Sequence, residues 1–143
     1  MAAIATSACK EDDNCSIHPE PFRFSIIDKE AKTDMLAEEV YIIDPEDGLY
    51  YFSNDERHSL IVNRETNPEG NYTELFSTQL PMVNLMKGVE TFYLVLNEKE
   101  TDTLKVVMGW EKQNGCDFHP YAQVKHNGKD IDIIEGDAFI LKK

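Results

Sequence analysis

Apolar and polar residues alternate with a period of two along much of this chain. Phe22-Arg23-Phe24-Ser25-Ile26 sets apolar against polar side chains and runs into Ile27-Asp28-Lys29, the pattern of a half-buried strand entering a turn. Residues 40–43 (Val40-Tyr41-Ile42-Ile43) predict a second strand. Asp44-Pro45-Glu46-Asp47-Gly48 stops it, because proline lacks a ladder donor and glycine supplies a turn conformation. Residues 49–52 and 59–63 follow as a hairpin across the polar stretch 53–58, and 31–39 reads as a loop or a single helical turn. Beyond the turn signal Asn67-Pro68-Glu69-Gly70-Asn71, residues 72–76 start another strand.

The C-terminal half repeats the pattern more strongly. Residues 91–96 are β-branched and aromatic, and 103–112 place Leu104, Val106, Met108 and Trp110 on one face, so the two predict a hairpin across 97–102. Residues 121–126 and 129–134 flank Asn127-Gly128, a pair suited to a two-residue turn in which both φ angles are positive. Ala122 and Val124 would then face Ile131 and Ile133. Residues 137–141 form the last strand, and 79–89 fit neither period cleanly. Short strands at intervals of roughly 8 to 12 residues argue an all-β fold, a single antiparallel β-sandwich with a small β-barrel as the alternative.

Charge narrows the functions available. The chain has 143 residues with 14 Lys and Arg against 27 Asp and Glu, a formal net charge of −13, and no Lys/Arg cluster, which argues against a nucleic-acid partner. No apolar run approaches the roughly 20 residues of a membrane-spanning helix. The first nine residues instead resemble the end of an export signal. Thr6-Ser7-Ala8-Cys9 resembles a bacterial lipobox, in which cleavage precedes the cysteine and its thiol receives lipid. On this reading residues 1–8 are a signal-peptide remnant, Cys9 is the lipid attachment point, 9–21 are an acidic tether interrupted by Pro19 and Pro21, and 22–143 are the folded domain. Two cysteines then remain, Cys15 and Cys116, and in an exported protein an even remainder permits a disulfide.

Several segments together resemble small surface lipoproteins of the Bacteroidota: Lys10-Glu11-Asp12-Asp13 after Cys9, Phe22-Arg23-Phe24-Ser25-Ile26-Ile27-Asp28-Lys29, Thr91-Phe92-Tyr93-Leu94-Val95-Leu96-Asn97, Thr101-Asp102-Thr103-Leu104 and Val124-Lys125-His126-Asn127-Gly128-Lys129. The resemblance covers both ends of the domain and leaves about residues 35 to 90 unmatched. It implies an immunoglobulin-like domain, lipid-anchored to the outer membrane and facing the cell exterior. It implies no catalytic motif and no cofactor.

Candidate chemistry is sparse. Three carboxylates within Asp44–Gly48 are hard ligands of the kind calcium takes, but their spacing departs from the twelve-residue calcium loop and they read as a solvated turn. His18, His58, His119 and His126 have no zinc-like spacing, and no metal site is assigned. Glu111 and Asp117 are the carboxylate pair a glycoside hydrolase reading would use. The stretch 98–102 reads as a soluble loop tip. Tyr50-Tyr51-Phe52 is the most suggestive run, because consecutive strand residues face opposite sides and at least one ring must look outward. The expected function is therefore a non-enzymatic surface domain binding or scaffolding a glycan or an outer-membrane protein. A lipocalin-like carrier barrel is the alternative, and a carboxylate hydrolase a third.

Overall fold

The computed structural model describes residues 15–66, 72–134 and 136–143. Twelve strands and one helix are assigned among them: β1 (Phe22–Ile27), β2 (Leu49–Ser53), β3 (Glu56–Leu60), β4 (Asn63–Thr66), β5 (Thr73–Ser77), helix α1 (Gln79–Lys87), β6 (Thr91–Val95), β7 (Thr101–Met108), β8 (Glu111–Gln113), β9 (Cys116–Phe118), β10 (Tyr121–His126), β11 (Lys129–Asp130) and β12 (Phe139–Lys142). They form a four-stranded sheet in the order β12-β1-β5-β4, a six-stranded sheet in the order β11-β10-β7-β6-β2-β3, and the separate β8-β9 hairpin. The two larger sheets face one another as an all-β sandwich. Among the described residues each keeps two free edges, so the alternative of a closed barrel does not hold. The pairing of β1 with β12 is parallel and every other strand pairing is antiparallel.

Alternation explains the layers. Phe22, Phe24 and Ile26 of β1, with Leu75 of β5 and Phe139 and Leu141 of β12, point inward from the smaller sheet. Leu49, Tyr51, Leu60, Phe92, Leu94, Leu104, Val106 and Val124 meet them from the larger one. Phe22 stacks on Phe139 with ring centroids 5.1 Å apart. Burial of this apolar set, at about 25 cal/mol per Å², is the main force holding the sheets together.

Three turns use the same device. Asn54-Asp55 between β2 and β3, Asn114-Gly115 between β8 and β9, and Asn127-Gly128 between β10 and β11 all have two consecutive positive φ angles, as two-residue hairpins with right-handed strand twist require. The hairpin expected across 53–58 is therefore tighter than its polarity suggests, and β3 begins at Glu56.

Several expectations need correction. Residues 40–43 form no strand. Tyr41 turns its ring into the core while Ile42 is 72% exposed, and Val40 and Tyr41 both donate backbone N–H to Met35 O, so no neighbouring strand pairs with them. β7 ends at Met108, leaving Trp110 outside the strand and donating Nε1–H to Asp117 Oδ1 at 3.2 Å. β11 is only two residues long. Ile131 packs against the core, whereas Ala122 and Ile133 remain exposed.

The ambiguous stretch 79–89 contains helix α1. Ser77 Oγ accepts the Leu80 N–H at 3.1 Å at its start, and Pro81 is tolerated in the first turn, where N–H groups lack intrahelical partners. Gly88 ends it at φ +70°, donating to Asn84 O. Asn84 fixes the helix to the sheet. Its amide donates to Val106 O (2.9 Å) and Val89 O (2.8 Å) and accepts from Met108 N (3.1 Å). Since β6 starts only at Thr91, this side chain completes the β7 ladder where the neighbouring strand has not begun.

The stretch Cys15–Pro21, assigned to the tether, lies along the body. Cys15 and Cys116 are joined by a disulfide. Asp117 N donates to Cys15 O and Ile17 N to Asp117 O, and Tyr121 OH donates to Glu20 O at 2.6 Å. Burial holds the Tyr121 phenol well above its ordinary pKa, with the nearby Glu20 charge adding to the effect, so it remains a donor. Cys9 lies outside the described residues, as does the turn 67–71. Among the described residues, no helix is long and apolar enough to cross a membrane.

Candidate functional site: an aromatic patch on the larger sheet

The run Tyr50-Tyr51-Phe52 divides between two sides of the sheet. Tyr51 points inward and is 3% exposed, its ring stacked on His58 of β3 at 5.1 Å. Tyr50 and Phe52 point outward, and Phe52 is 51% exposed.

Register completes the outer patch with residues distant in sequence. Tyr93 of β6 pairs with Tyr50, and the two rings stack at 5.2 Å with an interplanar angle of 22°. Phe52 stands edge-on to both, 5.6 Å from Tyr50 and 5.7 Å from Tyr93. Arg57 of β3 pairs with Phe52 and sets its guanidinium 3.8 Å over the Tyr50 ring. Asp47 orients it, accepting from Arg57 Nη2 at 3.0 Å and from Ser59 Oγ at 2.8 Å. Two of the three carboxylates in Asp44–Gly48 are thus engaged locally, since Asp44 Oδ1 accepts the N–H groups of Glu46 and Asp47.

Cations continue along the same face. Thr103 pairs with Tyr93, so Lys105, two residues on, shares its side of the sheet, and Lys125 of β10 sits directly opposite Lys105. Like charges in opposed register destabilise a sheet. Glu90, 3.9 Å from Lys105, offsets this only in part.

A second polar group lies at the sandwich interior. Asp102, expected in a solvated loop tip, is buried and accepts from His126 Nε2 at 2.6 Å and from Lys143 Nζ at 2.8 Å. Lys143 also reaches Glu100 at 2.9 Å, and Glu100 accepts from Tyr41 OH. Burial by itself would raise the Asp102 pKa, but the hydrogen bonds from His126, Lys143 and Asn127 outweigh it and hold the carboxyl below its ordinary value. Burial and the Glu100 carboxylate both push Tyr41 up.

The remaining candidates are dispersed. Glu111 pairs with Phe118 and Lys112 with Asp117, which puts the Glu111 and Asp117 carboxylates on opposite faces of the hairpin. His119 Nδ1 lies 3.2 Å from Gly109 O, His126 belongs to the Asp102 network, and His18 and His58 border a groove beside α1. Among the described residues, no group of three His, Cys, Asp or Glu is arranged to hold a metal ion. Sequence alone did not join Tyr93 and Arg57 to the run at 50–52, because only strand register brings them there. Comparison of the chain with protein-family models, with curated proteins and with solved structures yields no match.

Proposed function

We propose that this chain is a non-enzymatic binding domain, held at the outer membrane by acyl chains on Cys9 and facing the cell exterior, that docks a partner protein through the Tyr50–Phe52–Tyr93–Arg57 patch. The supporting observation is the half-exposed Phe52 ring set among two tyrosines and an arginine, the residue types that dominate binding energy at protein interfaces. A glycan fits this arrangement less well. Sugars stack on free ring faces, whereas Tyr50 is flanked by Tyr93 from β6 and by Arg57 from β3. The opposed Lys105 and Lys125 favour a partner with acidic groups around an apolar centre. The anchoring half of the reading rests on Thr6-Ser7-Ala8-Cys9 and the acidic residues after it.

The test is a photo-crosslinking amino acid in place of Phe52, expressed in the native host with Lys105 and Lys125 intact or changed to Glu. A discrete protein adduct from whole cells, lost with Lys105→Glu/Lys125→Glu and absent when the probe replaces Met86 instead, is the expected result. An adduct removed by glycosidases, or no adduct from protein bearing acyl chains at Cys9, would overturn the protein-docking reading. An intact mass lacking acyl groups would overturn the anchor.

A further inference from the structure

Behind the aromatic patch, on the side to which Tyr51 points, a groove of about 730 Å³ opens between α1, β3 and the segment that the Cys15–Cys116 disulfide ties down. That is within the range of roughly 300 to 1,000 Å³ typical of small-molecule sites. Its apolar lining comes from Leu60, from Met82, Val83 and Met86 of the helix, and from Pro19 and Pro21. Met86 is 77% exposed, an uncommon position for a long apolar side chain, and methionines adapt readily to apolar ligands.

The polar lining joins basic side chains to the neutral Ser59, Thr78 and Gln79. On a chain with 27 Asp and Glu, none of the described residues lining this groove is a carboxylate. The basic groups are the Lys87 ammonium and the imidazoles of His18 and His58. Lys87 Nζ donates to Tyr51 OH at 3.2 Å and lies 5.7 Å from the centre of that ring. Among the described residues, no acidic group forms an ion pair with Lys87. A cation without a counter-ion, next to an apolar trough on an otherwise strongly acidic molecule, is complementary to an anion with a hydrocarbon tail.

We propose that this groove binds an anionic amphiphile, a carboxylate on a linear hydrocarbon chain. The carboxylate accepts hydrogen bonds from Lys87 Nζ and Tyr51 OH, and the tail lies among Met82, Val83, Met86, Leu60, Pro19 and Pro21. The proposal is independent of the partner-docking reading, since Tyr50 and Phe52 point to the other side of the sheet.

The probe is dodecanoate, titrated below its micelle concentration into the full, disulfide-bonded chain carrying ¹³C-methyl methionine. Saturable shifts of the Met82 and Met86 methyls are expected, while the methyls of Met35 and Met108, buried in the core, stay in place and report an intact fold. Lys87→Gln should weaken binding about tenfold, as loss of one charge-assisted hydrogen bond does, with Lys87→Arg restoring most of it. Dodecanol, with the same tail and no charge, should bind at least about tenfold more weakly than dodecanoate. The absence of saturable shifts, equal affinity for dodecanol, or indifference to Lys87→Gln would each overturn the proposal.

Discussion

At the scale of single residues, Asp102 ties the stability of the fold to pH. It is buried, and its two oxygens are divided between His126 Nε2 and Lys143 Nζ, so both bonds depend on its remaining ionised. Its pKa in the folded protein lies below the ordinary value of 3.8. A depressed carboxylate contributes stability that is fully present above the unfolded value and is lost as pH falls through the folded one. Asp102→Asn should therefore cost about 3 kcal/mol at pH 7, as breaking a buried pair does, and the gap to the unaltered protein should close as pH drops below 3.8. Urea unfolding of both proteins between pH 2 and pH 7 measures this. A pH-independent difference would mean that Asp102 acts through packing alone. Lys143 sets the alkaline limit: burial would lower its pKa, but Asp102 and Glu100 outweigh burial and hold it above 10.5, so its contribution persists until pH rises past that range.

At the scale of elements, the disulfide determines how much of the N-terminal segment belongs to the folded body. It closes a span of 101 residues and fastens Cys15–Pro21 to the β8-β9 hairpin, an element three residues deep on each strand and outside both large sheets. In the chain-entropy model a loop of that length stabilises by about 4 to 5 kcal/mol. Cys15→Ser/Cys116→Ser should lower the urea midpoint accordingly and raise the m value, because the uncrosslinked denatured chain is more expanded. Amide exchange at Ile17 and Asp117, which bond across this junction, should quicken before that of β1. An unchanged midpoint would mean that Tyr121 and Glu20 hold the segment unaided. The elements also show which sequence signals are reliable. Period-two alternation placed β1, β2, β6, β7 and β10 within a few residues, because each buries one face on the core. It failed at 40–43, where β-branched composition imitates a strand but no neighbour offers a ladder. Asn114-Gly115 carries the same turn signal as Asn127-Gly128, yet its flanking residues are too polar for alternation to show. In the candidate site, alternation separated Tyr50 and Phe52 from Tyr51. Tyr93, Arg57 and the burial of Asp102 depend on long-range pairing that no local window contains.

At the scale of the whole molecule, the formal charge of −13 acts on stability as well as on choice of partner. Carboxylates recur along the whole sequence, so at 0.01 M ionic strength, where the screening length is about 30 Å, they repel one another across the fold. At 0.15 M that length is about 8 Å and the repulsion is confined to near neighbours. The buried Asp102–Lys143 and Asp102–His126 contacts sit in low dielectric and are screened far less than exposed pairs such as Arg57–Asp47 and Lys105–Glu90. Exposed pairs are each worth less than about 1 kcal/mol, so their loss on adding salt is smaller than the relief of global repulsion. Stability should accordingly rise between 0.01 M and 0.15 M NaCl at pH 7, by roughly 1 kcal/mol or about 4 °C in Tm for a chain of this length. Thermal unfolding across that series decides the matter. A falling Tm would show that the surface ion pairs around the aromatic patch outweigh the net charge, and Arg57→Gln should then abolish most of the salt dependence.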